Sequence, residues 1–449
     1  MISLAMKKTY SVKSLCEKIW SLENQYDLLS WTIDGIYIWP LARFKIMTRL
    51  NIEKGSFSGA PHPIKRNLFN NLKLLSKSII SYCIYNPLRY KKHFPYILIP
   101  HQRKKDGYDI YSKQFYLDHK NDILLLDTNI NSNAMRGSLN LDFHTYLANR
   151  LARFKKDNPS IFSHEDLEII KNIESDLGIR IADLIAETFY RFKYLQPKYK
   201  KFFSNVRPKT VYILTPYIKP YIASAAQDLG IKVIEFQHGT ITPYHLGYSY
   251  PGRPYVPYQP DEMLCFGTYW FKSTDLPEQT KTKVIGAPAC NLTAIKTIES
   301  KNQDLIVFLS QGPIGLSLYK IAEETAQQRQ DKHIVFRLHP SEPRSNYPSP
   351  HVKNLEISHG LSPSTYDLMN KADIVVGVSS TALFEAMCMG CKVAVVKLPS
   401  FEYMECVVAN GDTIVVNDAD DLIRSFDKLP RAADTTQYYA PRVDNISTD

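Results

Sequence analysis

The sequence predicts an α/β protein of two Rossmann-like domains with an N-terminal helical appendage, and three observations carry that prediction. A chain of 449 residues is longer than one hydrophobic core ordinarily serves and suits two domains with a remainder. Its last third alternates short β-branched runs with helical segments, the doubly wound pattern. Those runs are almost unbroken in hydrophobicity, as strands buried on both faces of a parallel sheet must be.

The elements follow in order. From Tyr10 to about Arg89 the chain reads as helical, with Leu28, Leu29, Leu72, Leu75 and Ile79 as apolar positions in a basic setting and a break from Gly55 to Pro63. This is the appendage, residues 1–90. Strand-like runs then appear at 96–99, 108–111, 123–126, 211–214, 232–236 and 263–266. A long helical region from Leu141 to Phe203, interrupted near Asn158 and Pro159, lies between the third and fourth. Together they make a first Rossmann-like domain, residues 91–288, with the boundary expected near Gly286 to Thr293. The second domain, 289–449, holds strands at 305–309, 333–338, 374–378, 393–396 and 413–416 and helices at 316–329, 363–371 and 382–389. Ser362 and Pro363 are expected to supply the N-cap and first-turn proline of the middle helix.

With 44% hydrophobic and 22% charged residues, the chain reads as globular rather than disordered. No apolar run reaches the roughly 18 to 20 residues that cross a bilayer, and Met1 to Lys18 lack a secretory leader's apolar core and cleavage site. A cytoplasmic protein is expected. Its seven cysteines (Cys16, Cys83, Cys265, Cys290, Cys388, Cys391 and Cys406) are odd in number and scattered, so reduced thiols are expected. The net charge is +10. Part of it sits in Arg191, Lys193, Lys198, Lys200, Lys201, Arg207 and Lys209, with Phe192, Tyr194, Tyr199, Phe202 and Phe203 interleaved. Such a stretch suits peripheral contact with an anionic inner membrane or an acidic acceptor; a solvated helix end is the alternative. No recognised nucleic-acid-binding motif accompanies the charge.

In open α/β sheets ligands sit beyond the carboxyl ends of the strands, so the residues just after each strand are the ones to read. After 374–378 come Ser379, Ser380 and Thr381, and a helix starts at once. Hydroxyls and free main-chain N–H groups there converge on one spot suited to an anion, and Glu385, one turn on, can reach ribose hydroxyls. Capping alone would explain one of the three hydroxyls. After 333–338 come His339 and Pro340, an imidazole able to donate to a phosphate oxygen, with Arg337 adding charge if it faces the cleft. Gln311 and Gly312 follow the first strand of the same domain, where a plain βα loop is the competing reading.

In the first domain, Gln237-His238-Gly239 ends a strand. His238 is a candidate general base, its ordinary pKa of about 6.5 lying near working pH. Glu235 lies within that strand, where its side chain can point away from the cleft, and is kept as a third candidate after Asp106. Asp106 before Gly107 is a second possible base, although an Asp-Gly hairpin turn explains it as well. The loop from Thr240 to Pro260, rich in tyrosine, proline and glycine, suits a sugar-facing surface. Cys388 and Cys391 have no second pair to complete a zinc site, Asp418 and Asp420 read as helix capping, and no metal or cofactor is expected.

Gln237-His238-Gly239 in one domain, His339-Pro340 in the other and Ser379-Ser380-Thr381 opening a helix with Glu385 together resemble the GT-B glycosyltransferases of bacterial capsule and lipopolysaccharide assembly. The histidine-proline and paired-serine motifs are similar to those of the sialyl- and polysialyltransferases and of the Kdo and CDP-glycerol transferases. The resemblance runs from roughly Tyr96 to Val416. It implies a GT-B fold, with His339, Ser379 and Ser380 on the phosphate of a cytidine nucleotide, commonly CMP, and inversion without a metal. The partners it implies are a nucleotide-sugar donor and a glycan or lipid-linked glycan acceptor. The sialyltransferases carry an acidic pair before glycine as base, where this chain has Lys105-Asp106-Gly107. Gln237-His238-Gly239 looks more like the histidine-glycine element of the polyol-phosphate transferases. The first 90 residues, with Trp31-Thr32-Ile33-Asp34-Gly35 and Trp39-Pro40-Leu41-Ala42-Arg43, resemble the leader of uncharacterised polysaccharide-cluster proteins.

The expectation is therefore an inverting, metal-independent glycosyltransferase that moves a CMP-activated ulosonic acid, such as Kdo or a sialic-acid-like sugar, onto a surface-polysaccharide acceptor. Alternatives are a CDP-polyol phosphotransferase, a nucleotide-sugar epimerase and a non-catalytic glycan-binding subunit. The epimerase would need several carboxylates in the first-domain cleft, which the sequence reading does not find.

Overall fold

The computed structural model describes residues 10–54, 68–102, 104–128, 134–135, 137–157, 159–287 and 301–443. The break expected from Gly55 to Pro63, Asn158, Cys290 and most of the expected domain boundary, from Pro288 to Thr293, lie outside the described residues.

The described residues of the N-terminal region hold helical and hairpin segments in order: α1 (Val12–Gln25), a hairpin of β1 (Thr32–Ile33) and β2 (Ile36–Tyr37), α2 (Ile38–Lys54) and α3 (Leu68–Tyr85). Asp34 and Gly35 turn the hairpin at φ 52° and 72°, the left-handed pair that a two-residue connection favours. There follow β3 (Tyr96–Ile99), β4 (Lys104–Lys105), β5 (Tyr108–Asp109), α4 (Lys113–Asp118), β6 (Ile123–Leu125), α5 (Asp142–Lys155), α6 (His164–Leu177), α7 (Ala182–Val206), β7 (Thr210–Ile213), α8 (Pro220–Gln227), β8 (Lys232–Phe236), β9 (Glu262–Cys265), α9 (Tyr269–Lys272) and β10 (Lys281–Val284). Six of these strands form a parallel sheet in the order β10-β9-β8-β7-β3-β6. The run 108–111 does not join it. Its first two residues pair antiparallel with β4 across Asp106 and Gly107, both left-handed at φ 55° and 80°, so the Asp-Gly turn prevails over the strand reading.

The second half contains β11 (Asn302–Leu309), α10 (Gly315–Gln328), β12 (His333–Arg337), β13 (Leu355–Ser358), α11 (Thr365–Lys371), β14 (Ala372–Gly377), α12 (Thr381–Cys388), β15 (Lys392–Val396), α13 (Glu405–Ala409), β16 (Ile414–Val416) and α14 (Ala419–Ser425). Its sheet is also parallel, ordered β13-β12-β11-β14-β15-β16. These two sheets, each with helices around it, are the GT-B architecture expected from the sequence. Within these two sheets, two strands were not anticipated. Both β10 and β13 are edge strands, and their half-polar burial patterns lack the unbroken hydrophobicity that marks central ones. The cap of α11 is also corrected. Ser364, not Ser362, accepts from the Asp367 N–H in a reciprocal capping box, while Ser362-Pro363 is a cis peptide before the helix.

The N-terminal helices are bound into the first half rather than hung from it. Leu15, Ile19, Trp39 and Ile46 share one core with Ile97, Val211 and Val233 of the sheet. The aromatic residues interleaved with the basic stretch of α7 belong to the same core. Phe192, Tyr199, Phe202 and Phe203 are buried and Tyr194 is half-buried against the same core, so these rings pack the fold. Among the described residues no helix is long and apolar enough to cross a membrane.

A second core runs without interruption from the first sheet to the second. Trp270 of α9 meets Phe384 of α12 at 4.7 Å between ring centroids, and the chain after α14 comes back to the first sheet. Gln437 accepts from the Tyr269 N–H and Tyr438 from the Trp270 indole N–H. Phe266 and Ile285 accept from the Ala440 and Val443 N–H groups. A Cβ at Gly267 or Gly286 would overlap the main chain of this returning segment.

Candidate functional site

Each sheet reverses its direction of growth at one place, between β3 and β7 in the first and between β11 and β14 in the second. Loops diverge at such a point and leave a crevice past the strand ends. The candidate residues gather at both.

At the first crevice His238 follows β8. Its ring lies nearly parallel to that of His101, which follows β3, at 5.5 Å and 24°. Tyr111 stands edge-on to it at 6.3 Å, and Tyr217, after β7, lies 6.2 Å away. Glu235 is fully buried in β8, where it accepts from the Tyr248 hydroxyl at 2.6 Å. Its second oxygen is buried without a hydrogen-bond partner. Desolvation pushes its pKa up to about 8, against the opposing hydrogen bonds of Tyr248 and the Thr215 main chain. The Tyr248 oxygen is also 3.4 Å from His238 Nδ1. A phenol whose proton goes to Glu235 can only accept from the imidazole. In the tautomer with its proton on Nδ1, His238 donates to that oxygen and its Nε2 is the basic nitrogen.

Tyr248 is held in turn by the N-terminal helices. Arg43 of α2, fully buried, pairs with Glu23 of α1 and donates to the carbonyls of Leu246 and Ser249 at 2.7 and 2.8 Å. Its guanidinium covers the Tyr250 ring at 4.1 Å, and Trp39 donates to the same Glu23 at 2.7 Å. The tryptophan-to-arginine motif of the leader therefore fixes the loop that orients His238. Gln237 is also structural: its side chain accepts from the Phe266 N–H and donates to the Gly239 carbonyl.

Carboxylates are more numerous at this edge than the sequence reading allowed. Asp109 is buried and accepts from the His101 and Tyr111 N–H groups and the Ser112 hydroxyl; desolvation raises its pKa in spite of these bonds. Asp127 forms a buried pair with Lys104 at 2.6 Å. Lys219, crowded at the start of α8, is lowered to about 8 by desolvation, partly offset by Asp127 and Asp109. Asp106 is exposed at the hairpin tip.

The second crevice is built from main chain and hydroxyls. Ser380 is the N-cap of α12 and accepts from the Ala382 N–H, which is the one hydroxyl that capping explains. The Ser379 N–H donates to the Gln311 side chain at 3.0 Å, tying the two strands that flank the switch point. Thr381 and Glu385 are half-buried on α12. Gly312, exposed and at φ 43°, begins a short 3-10 turn ahead of α10. His339 is exposed, and its loop is anchored by Glu342, which accepts from the His339 N–H at 2.8 Å and from the Ser310 hydroxyl at 3.0 Å. Tyr347 donates to the same carboxylate. Ser310 and Gln311 thus hold one loop each, and a side chain at Gly315 would collide with Tyr347, Glu342 and Ser310. Arg337 turns toward β13 instead, donating to Thr365, Ser358 and the Gly360 carbonyl.

The structure accordingly brings Glu235 and His238 together at one edge and Gln311, Ser379 and Ser380 at the other. The two sides meet where Lys13 of α1 and Tyr244 of the loop after β8 both reach Glu405, at 3.2 and 2.7 Å. His101 and Tyr217 were missed, and Tyr248 was expected only as part of a tyrosine-rich loop facing a sugar. The first two follow prolines just past strands, so the rule applied to the second half would have found them; Tyr248 sits far along a loop and carries no local signal. Two clefts of about 530 and 570 Å³ share Tyr37, Tyr255 and Pro257. Neither is lined by a candidate site residue.

No family model and no curated protein matches this chain. Among solved structures it is similar to the glycotransferase of kitacinnamycin, at 12% identity over 77% of this chain and 92% of that one, with a TM-score of 0.44. It is similar also to the UDP-GlcNAc 2-epimerase of Methanocaldococcus jannaschii (13%, 78% and 95%, TM-score 0.42) and to MurG of Acinetobacter baumannii (12%, 75% and 89%, TM-score 0.41). Likeness this distant assigns neither a family nor an activity.

Proposed function

We propose that the chain is an inverting, metal-independent glycosyltransferase, with the nucleotide at the β11/β14 crevice and the acceptor at the β3/β7 crevice. The observation that carries this reading is the Glu235–Tyr248–His238 chain at one crevice, with hydroxyls and a helix start at the other. His238 Nε2 takes the proton of an acceptor hydroxyl. The acceptor oxygen bonds to the anomeric carbon from the face opposite the nucleotide, and the bond from that carbon to the phosphate oxygen breaks with its electron pair. Ser379, Ser380, Thr381 and the N–H groups of α12 stabilise the anion that departs, with His339 donating from the adjoining loop and Glu385 reaching the ribose. A CMP-activated ulosonic acid as donor, and a surface-polysaccharide glycan as acceptor, rest on the motif resemblance.

The test is a melting-temperature screen over CMP, CDP, UDP, GDP and dTDP, since a ligand that binds only the folded state raises the midpoint. Nucleotide release from the matching donor in the presence of acceptor glycans follows. A cytidine nucleotide should stabilise and its release should require acceptor; no stabilisation by any of the five sinks the reading. The three buried carboxylates beside two histidines favour a second reading, an epimerase, which would convert a nucleotide sugar with no acceptor present.

A further inference from the structure

Helix α3 turns a stripe of aliphatic side chains outward. Its exposed face carries Leu72, Ile79, Ile80 and Ile84, which are 58%, 46%, 57% and 64% exposed. Positions 72, 79, 80 and 84 fall on one side of a helix by its 3.6-residue period. The inward side carries the hydroxyls: Ser78 and Ser81 are buried, the first bonded to the Leu74 carbonyl at 2.7 Å and the second to Asn140. Tyr82 packs on Phe143 of α5 at 4.8 Å. A soluble helix ordinarily has the opposite arrangement, and single exposed aliphatics are commonplace where four on one stripe are not.

The charge around this stripe is equally one-sided. Between Glu53 and Asp106 the sequence contains no carboxylate, and it contains eleven lysines and arginines. Lys73, Arg89, Lys91 and Lys92 are exposed, and among the described residues none of the four forms an ion pair. Apolar residues on one face with unneutralised cations around them suit a surface that is greasy below and anionic above.

We propose that α3 is an interfacial helix that seats the protein on an anionic lipid bilayer, with Leu72, Ile79, Ile80 and Ile84 below the headgroups and the surrounding cations among them. The basic residues within and beside the helix keep it lying on the membrane rather than crossing it. This surface replaces the α7 stretch, whose aromatics are committed to the core. It also orients the molecule. The end of α3 meets Asn140, next to the bridge from Leu139 to Leu126 past the end of β6. The bilayer therefore lies at the β6 edge of the first sheet, three strands or about 15 Å from β8. The proposal does not depend on the transferase reading, and its test needs no turnover.

The test is flotation of the purified full chain with vesicles of phosphatidylcholine alone or with one-third phosphatidylglycerol. The chain should float with the anionic vesicles, release at high salt, and float at least tenfold less with the neutral ones. Ile79→Ser/Ile80→Ser/Ile84→Ser should lower partitioning at least tenfold with the melting temperature retained. Should that variant not fold, Lys73→Glu/Lys91→Glu/Lys92→Glu should give a similar loss, whereas Lys198→Glu/Lys201→Glu on α7 should change partitioning less than twofold. Absence of flotation with anionic vesicles, or full flotation of a folded isoleucine variant, overturns the proposal. So does a parent dimer that the isoleucine variant converts to monomer, which would make the stripe a contact between copies of the chain.

Discussion

The two crevices are made from opposite materials. The first is crowded with rings and ionisable groups, several of them buried: His101, His238, Tyr111, Tyr217, Tyr248, Glu235 and Asp109. The second is made mainly of hydroxyls, a glutamine amide and main-chain N–H groups, with His339 exposed, Glu385 half-buried and Glu342 turned to holding a loop. Burial moves protons, so the first edge controls protonation. Fixed dipoles hold charge without changing their own, so the serines and helix start of the second edge suit an anion whatever the state of its one imidazole, His339. The asymmetry teaches that the two halves, alike in topology, have separate tasks that single substitutions can separate.

The largest separation should come from His238→Ala. Loss of a general base costs about a hundred- to ten-thousandfold in turnover, while nucleotide affinity by calorimetry should stay within twofold. Unchanged turnover would remove His238 as the base. Next is Arg43→Ala, which strands Glu23 without its partner in the core. Breaking a buried pair this way costs about 3 to 5 kcal/mol, read as a lowered denaturation midpoint, and the first edge should lose order ahead of the second. Ser379→Ala/Ser380→Ala should do the reverse of His238→Ala, weakening nucleotide binding about ten- to a hundredfold through lost bonds to a charged group, with melting temperature little changed because only one of the two serines caps a helix.

Glu235 gives an effect spread over a pH window, and its sign is fixed. Its pKa rises from the ordinary 4.5 to about 8 on folding. Below 4.5 both states are protonated. Between 4.5 and 8 the unfolded chain releases the proton that the folded one keeps, so this group's contribution to stability falls as pH rises and is level above 8. In Glu235→Gln the decline should vanish, and the melting-temperature difference between variant and parent should grow in the variant's favour across that window. A difference independent of pH would show that Glu235 is ionised in the fold.

Much of this was legible in the sequence, for identifiable reasons. The central strands announced themselves because burial on both faces forces unbroken hydrophobicity, and the serine turn because three hydroxyls after a strand are more than a cap needs. Half-exposed β10 and β13 carried no such mark. Glu235 could be placed in its strand but not on a face, since that depends on Tyr248, a residue that only the folded loop brings near. The α7 stretch left a membrane contact and a solvated helix end both open, because alternating charge and rings do not show in sequence which way the rings face, and α3 looked ordinary until Ser78 and Ser81 proved to be buried.

The returning segment has a consequence for how the molecule is made. The Trp270 indole waits for a carbonyl synthesised 168 residues later, and Phe266 and Ile285 are completed by the same late stretch. A nascent chain that has emerged only through β10 still shows bare aromatic surface at its newest end. Its first half can collapse early, yet it becomes native only in one concerted event with the second, so the two halves should not survive being expressed as separate polypeptides.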